Sequence, residues 1–574
     1  MSHHLRGYNQ TPALEKDCSE RPRLPYTMTN TSSSTSGVRG WLDRNVLALG
    51  REMRLSYLPP LMVYVAAGIS GLTSIVGTFF VKSYLGLSAE FLVALGFWAG
   101  LPWALKMPLG HLVDLMWKWK GLLVLLGASL IASSLGIMIG LLAAPDAMRT
   151  VMPADAWFVL AALLAPVGYV IQDVVADAMT VEAVPRVDAD GHSVPAAQRV
   201  LMHTTMQTLG RVAIIGGGVL VSLVNVVLLA GVESLPADGK LAAYLRIYQY
   251  AMLIPLVSVL GVALAGRIRQ RDAQRLGQRG FSASQIENLM SVHGERPAVN
   301  WTILLGGLAF ACVSLAVGLA QVPGGQEIVF GASLSIVVFL MWRLLGALEP
   351  EARATLVGTA VVIFVFRAMP GPGPGSTWWM IDQLQFDESF LARLSAMASV
   401  LTLAGLFLFR RFMAEHPITT IVAFLTIAGT VLSLPVLGMY HGLHVWTAAH
   451  TSGVVDARFI ALIDTALESP LGQISMVPML AWIARSAPDN LKATYFAVMA
   501  SFTNLALSAS QLGTKYLNQV FEVTRQVTDP TTKAVTVAAD YSQLGELLLA
   551  CTVLGLVVPL AAIWLVRVLA LKSE

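Results

Sequence analysis

Ionisable side chains set deep inside long apolar stretches are the residues of this chain that could do chemistry. The run Gln172-Asp173-Val-Val-Ala-Asp177, with Glu182 after it, places two carboxylates four residues apart, on one face of a helix. At 1.5 Å per residue, Asp173 lies roughly 16 Å from the end of its apolar segment at Val184. Arg211, on the next apolar segment, reaches about the same depth, with Gln207 one turn below it. Charges at such depth cost about 2.5–3.5 kcal/mol each on insertion scales, so each calls for a reason. One reading is a salt bridge between Asp173 and Arg211. The other makes Asp173 and Asp177 part of a proton or substrate path, since buried carboxylates can exchange protons.

The second half carries its own set. Arg367 stands three residues before Pro370, where the sequence reads PGPGPG to Gly375. That run must break a helix, which a membrane tolerates only where the freed backbone is buried in protein or lines a cavity. Trp378 and Trp379 follow, either as anchors at the membrane interface or as one wall of a cavity for a flat ring. Asp464 and Glu468 repeat the four-residue acid spacing nearer the outer side, where a solvated funnel would also tolerate them. Asn504 and Gln511 either face the cavity or hydrogen-bond between helices.

The elements that position these residues must be membrane helices. Of 574 residues, 55% are hydrophobic and 13% charged, against about 25% charged in an average soluble domain. Apolar runs near 58–81, 90–113, 121–144, 156–184, 200–230, 245–266, 301–321, 327–347, 354–370, 389–409, 417–440, 457–485, 492–520 and 544–570 approach the roughly 20 residues a spanning helix needs. They are far too long for barrel strands of about 10 residues. The expected fold is therefore an all-α polytopic membrane protein of about 14 transmembrane helices. Its parts are a disordered cytoplasmic tail (1–56), a six-helix bundle (57–268), a basic cytoplasmic loop (269–300), an extra transmembrane hairpin (301–350) and a second six-helix bundle (351–574). Two such bundles are how many transporters are built. Pro166-x-Gly168 and Pro470-x-Gly472 fall in equivalent helices of the two halves.

Basic residues alternate with the helices as the positive-inside rule requires, placing both termini in the cytoplasm of a cytoplasmic-membrane protein. Arg39, Arg44, Arg51 and Arg54 precede the first helix, and six arginines from Arg267 to Arg296 follow the sixth. The loop 521–543, assigned outside, fits least well because it holds Arg525 and Lys533.

Other classes find little support. A net charge of +3 lacks the basic face of a nucleic-acid binder. Cys18, Cys312 and Cys551 are too scattered for a disulfide framework or a zinc site. No P-loop, H-E-x-x-H or G-x-S-x-G is present, so neither an enzyme nor a cofactor is expected. The expected partners are a small-molecule solute, protons and the lipid bilayer, with the protein as a monomer.

Four segments carry a family resemblance. They are Gly100-Leu-Pro102 with Lys106, Gly110 and Asp114; Gln172 to Glu182; Phe366-Arg367-x2-Pro370 with Trp378, Trp379 and Leu384-x-Phe386; and Pro478-Met-Leu with Pro488, Ala493-Thr494, Phe496-Ala497, Ser501 and Asn504. In this order they resemble the folate–biopterin transporter family of the major facilitator superfamily. Gly110-x3-Asp114-x3-Lys118 resembles the superfamily's inner-loop motif, so Lys106, Gly110, Asp114 and Lys118 are expected to gate and brace helix ends.

The resemblance implies the major facilitator fold and secondary transport of a folate- or pterin-like anion by proton-coupled alternating access. Arg211 and Arg367 would then counter the solute's charge, with Gln207, Trp378, Trp379 and Asn504 completing the binding site. Asp173, Asp177, Asp464 and Glu468 would carry or gate the proton. The Gln-Asp-x3-Asp core also resembles muropeptide permeases and acetyl-CoA transporters, which keeps that cargo class open. A membrane sensor or scaffold acting through the basic loop is the reading from another class.

Overall fold

Apolar composition makes this chain helical, and prolines, glycines and a few side-chain caps decide where each helix starts and stops. Ser88, Asp387 and Asp456 each accept a hydrogen bond from the amide three residues on, at 3.1, 2.7 and 2.8 Å, satisfying a donor that the first turn leaves orphaned. The computed structural model describes residues 48–85, 87–185, 187, 194–290, 299, 301–320, 322–346, 349–472, 474, 492–528 and 535–569. The chain divides into two units, Met1–Arg51 and Glu52–Glu574. The described part of the first is a single helical turn, Ala48–Arg51; most of the expected 1–56 tail lies outside the described residues. Everything below concerns the second unit.

The first half comprises α1 (Leu58–Gly68), α2 (Ser74–Tyr84), α3 (Ala89–Gly100), α4 (Lys106–Leu115), α5 (Lys120–Ala143), α6 (Ala154–Ala183), α7 (Ala196–Leu228), α8 (Ala237–Ala251) and α9 (Leu253–Gln278). A short amphipathic helix, α10 (Ala283–Met290), follows, then a hairpin of α11 (Trp301–Leu319) and α12 (Gly325–Leu345). The second half holds α13 (Pro350–Arg367), α14 (Pro374–Asp382), α15 (Glu388–Leu408), α16 (Ile418–Tyr440), α17 (Ala457–Glu468), α18 (Lys492–Val520) and α19 (Leu544–Val568). A small antiparallel ribbon, β1 (Val527–Thr528) with β2 (Val535–Val537), sits between α18 and α19. No periodicity announces it, because strands of two and three residues are too short to show alternation.

Each of the expected apolar segments contains helix among the described residues. Eight helical runs there are long and apolar enough to cross a membrane, with three shorter apolar helices beside them. Among the described residues, length and hydropathy alone thus do not establish fourteen crossings. The second segment is interrupted by the 3-10 turn Leu101–Leu105, the PGPGPG run parts α13 from α14, and most of 473–491 lies outside the described residues.

Helices pack closely where glycines meet. A Cβ on Gly127 of α5 would come within 2.6 Å of the Gly168 carbonyl oxygen on α6, so these helices touch backbone to backbone. The opposite faces present Leu122, Leu125 and Leu126 of α5 and Val224 and Val227 of α7 outward, an apolar exterior of the kind a bilayer accepts. In the first half α1 packs against α6, α7 and α9; in the second, α19 packs against α13 and α16. The halves meet along α3 with α18 and α7 with α15. The hairpin leans on both, α11 on α4 and α12 on α18. Gln326 donates to the Ala94 carbonyl at 3.0 Å, and Lys515 pairs with Glu327 at 3.1 Å. The result is an all-α major facilitator fold with an added hairpin.

Candidate functional site

Asp173 and Asp177 lie where α6 passes α1 and α4. The 3-10 turn ends at Lys106, the first residue of α4, whose ammonium is 2.6 Å from Asp173 Oδ2 and 2.8 Å from Asp177 Oδ2. Tyr64 of α1 donates to Asp177 Oδ1 at 2.6 Å. Its ring lies over Gly210, where a Cβ would approach to 2.9 Å, so the next residue, Arg211, adds its charge to the same region and acts on both Asp173 and Tyr64 through space. The expected Asp173–Arg211 salt bridge is replaced by Asp173–Lys106. Two carboxylates therefore share one ammonium, leaving a formal charge of −1 before Arg211 is counted. The side chains of Asp173 and Lys106 are 15% and 22% accessible, that of Asp177 44%. Asp177 thus keeps nearly half of its side chain accessible although Tyr64 and Lys106 reach it from two other helices. Gln172 beside it is structural, donating to the Val124 carbonyl and to Ser258 at 3.2 and 3.0 Å.

The broken helix of the second half is held by α18. Ser510 donates to the Met369 carbonyl at 2.7 Å, Thr514 accepts from the Gly371 amide at 2.9 Å, and Asn518 donates to the Pro372 carbonyl at 3.3 Å. These residues stand four apart, one under the other on one face, and they satisfy the backbone that PGPGPG frees. That four-residue polar spacing was the available sequence signal for them. Gly373 has φ +72° and a Cβ there would meet Asn518 at 3.0 Å, so glycine is required. Asn504, on the same helix, donates to the Trp103 carbonyl at 3.3 Å, supporting the break in the first half. Arg367 ends α13 at the rim of this break, half-buried, apart from the Asp173 cluster.

Trp378 and Trp379 are buried, 1% and 5% exposed, in a core with Phe386, Phe390 and Leu544. Neither is placed as an interfacial anchor would be, since an anchor needs its polar edge at the headgroups. They lie at an end of the molecule where polar contacts cross between the halves. Lys82 pairs with Asp382. Tyr244 donates to the buried Glu388 at 2.6 Å, and Lys240 approaches the same carboxylate at 3.6 Å. Ser222 bonds Ser399 at 2.9 Å, and Arg525 donates to the Leu87 carbonyl at 3.3 Å. We call this the latched end.

At the opposite end the charges brace helices within the first half. Glu182 accepts from Lys120 at 2.9 Å and faces Arg269 at 3.6 Å. Lys118 reaches Glu287 of α10 at 3.1 Å, and that hydrogen bond holds the exposed Glu287 carboxyl below its usual range. Gly110 has open space around it. The side chains of Asp114 and Gln207 lie outside the described residues. In the second half, Asp464 buries Oδ1 without a hydrogen-bond partner, while Glu468 is exposed. Among the described residues no cation lies within ion-pair distance of either, and no group of three or more His, Cys, Asp or Glu could hold a metal.

Comparison with known proteins gives this chain a family and a fold. A family model, the BT1 family, matches residues 67–571. A folate-biopterin transporter of Synechocystis sp. is 29% identical over 168 residues, 28% of this chain and 33% of that protein. The chain thus matches about a third of that relative's length. Among solved structures, a peptide transporter POT in complex with alafosfalin superposes with a TM-score of 0.54 at 14% identity, covering 89% of this chain and 95% of the other. A POT family transporter in complex with 5-aminolevulinic acid gives 0.53 at 11% identity, covering 89% and 96%. At such identities the structural likeness is one of fold.

Proposed function

Since this chain belongs to the BT1 family of folate–biopterin transporters and is a membrane transporter of the major facilitator type, we propose that it carries a folate- or pterin-like organic anion by proton-coupled alternating access. The observation that carries this reading is the sharing of one ammonium by two carboxylates, one of them 44% accessible. Lys106 can neutralise one of Asp173 and Asp177 at a time; a single proton neutralises the other. Loading and unloading that proton changes the local charge by one unit at Asp173, whose side chain is only 15% accessible, and partial burial strengthens electrostatic effects. That is the kind of differential interaction needed to bias two conformations.

Arg211, next to the cluster, and Arg367, at the helix break, offer guanidinium groups for the solute's carboxylates. Asp464 and Glu468 are a second candidate pair for protons. The residues 57–268 and 351–574 act as the two rocking bundles, both termini lie in the cytoplasm, and the protein works as a monomer in the cytoplasmic membrane. The latched end then faces outward and the structure represents a state closed on that side.

The test is uptake of radiolabelled folate into proteoliposomes with an imposed pH gradient. Acid outside should raise the initial rate, and collapsing the gradient should remove the increase. Asp173→Asn should still exchange labelled for unlabelled folate yet show no response to the gradient. Folate uptake that ignores the gradient in the wild type would eliminate proton coupling, and absence of folate uptake would eliminate the cargo.

A further inference from the structure

Arg525 lies between α18 and β1 and is 4% exposed. Its Nε donates to the Leu87 carbonyl, and its guanidinium carbon sits 5.6 Å from the centre of the Trp378 ring. Both terminal nitrogens are buried, with no hydrogen-bond partner among the described residues. A buried guanidinium with its fork empty is strongly disfavoured, so a state that pairs the fork gains the free energy this one lacks. The carboxylate whose charge reaches it is Asp382, but both oxygens of Asp382 are taken. One accepts from Lys82 and the other from Tyr541. The Tyr541 phenol, held above its usual range by burial and by Asp382, remains neutral. The cluster therefore sets two cations, Lys82 and Arg525, against one carboxylate.

Its members come from both halves. Lys82 and Leu87 belong to the first, and Trp378, Asp382, Arg525 and Tyr541 to the second. Parting the halves at this end withdraws Lys82 from Asp382 and Leu87 from Arg525. The guanidinium then faces the opening with an indole beside it. A planar fork matches a carboxylate in a two-point contact, and the ring offers a surface for whatever flat or apolar group adjoins it.

We propose that Arg525, flanked by Lys82 and Trp378, is a recognition site for a carboxylate of the transported solute, filled when the latched end opens. The site deepens the carrier reading and rests on it. It differs from the Arg211 and Arg367 positions in lying at the mouth, where it selects cargo before occlusion.

The experiment compares folate with biopterin, which has no carboxylate, in proteoliposomes of the full-length protein. In Arg525→Gln the ratio of folate KM to biopterin KM should rise about tenfold. Arg525→Lys, which keeps the charge but loses the fork, should give an intermediate ratio and serves where the glutamine variant does not fold. Equal changes in both KM values would mark Arg525 as merely structural and overturn the proposal. A second readout does not need transport. Millimolar p-aminobenzoylglutamate should raise the unfolding temperature of purified wild type by about 2–4 °C and that of Arg525→Lys by less. Transport failure in the wild type with this shift intact would sink the cargo assignment and leave the carboxylate site standing. No shift in the wild type would sink the site itself.

Discussion

The two halves each carry acids four residues apart on one helix face, and they treat them oppositely. On α6, Asp173 and Asp177 receive an ammonium from Lys106 and a phenol from Tyr64. On α17, Asp464 keeps one buried oxygen unpartnered and Glu468 is exposed, with no cation of the described residues within reach. The spacing is the same; the neighbours decide what it does. In the first half a broken helix, interrupted at Leu101–Leu105, delivers a lysine to the carboxylates. In the second half the broken helix, α13 to α14, ends in Arg367 and is stitched to α18 instead. Under the proposed mechanism, the acid pair with a counter-ion is the one whose charge a single proton resets. A pair without one depends on water.

The strongest way to break this contrast is Lys106→Met. Removing one partner from a largely buried ion pair strands the other, at about 3 kcal/mol or more. Thermal unfolding in detergent should show that loss, and gradient-driven folate uptake should fall to background. Adding Asp173→Asn to Lys106→Met should restore much of the stability without the uptake. Lys106→Met that unfolds no earlier than wild type would dissolve the distinction between the halves.

A smaller effect of opposite sign is expected for Asp464→Asn. An amide does not need the counter-charge that Asp464 lacks, so the variant should be more stable by about 0.5–1 kcal/mol. A stability loss similar to that of Lys106→Met would mean that the α17 acids are paired after all.

The smallest effect belongs to Lys118 and Glu287 at the surface. The Glu287 carboxyl is lowered in the folded protein by its hydrogen bond to Lys118. Its contribution is thus full above the ordinary carboxylate range and lost as pH falls through the folded value. Glu287→Gln should be hard to detect at neutral pH and high salt. A measurable difference from wild type is expected at low ionic strength, and acidification should erase it.

Much of the frame was legible in the sequence because apolar length and proline punctuation act locally. PGPGPG breaks its helix where it stands, and the depth of Asp173 follows from counting residues. Partners were harder to read. Counting gives height along a helix but says nothing of which neighbour turns towards it, so Arg211 at the right height was joined by Lys106 and Tyr64 from two other helices. Trp378 and Trp379 were ambiguous because an interfacial belt and a cavity wall use the same indole, and the buried core they join depends on neighbours the sequence does not reveal. Arg525 could be read only as a misfit to the charge rule, since its burial comes from long-range contacts with Leu87 and Trp378.

The polar stripe on α18 has a mechanical consequence. Ser510, Thr514 and Asn518 repeat every four residues, about 6 Å along the axis, and hydroxyls and carboxamides can both give and take hydrogen bonds. A slide of α18 by one full repeat brings a hydrogen-bonding group back to two of the three carbonyl and amide sites of the unwound stretch. A slide by half a repeat leaves all of them dangling. Axial movement of α18 past that stretch should therefore run like a ratchet, in discrete clicks rather than a smooth glide.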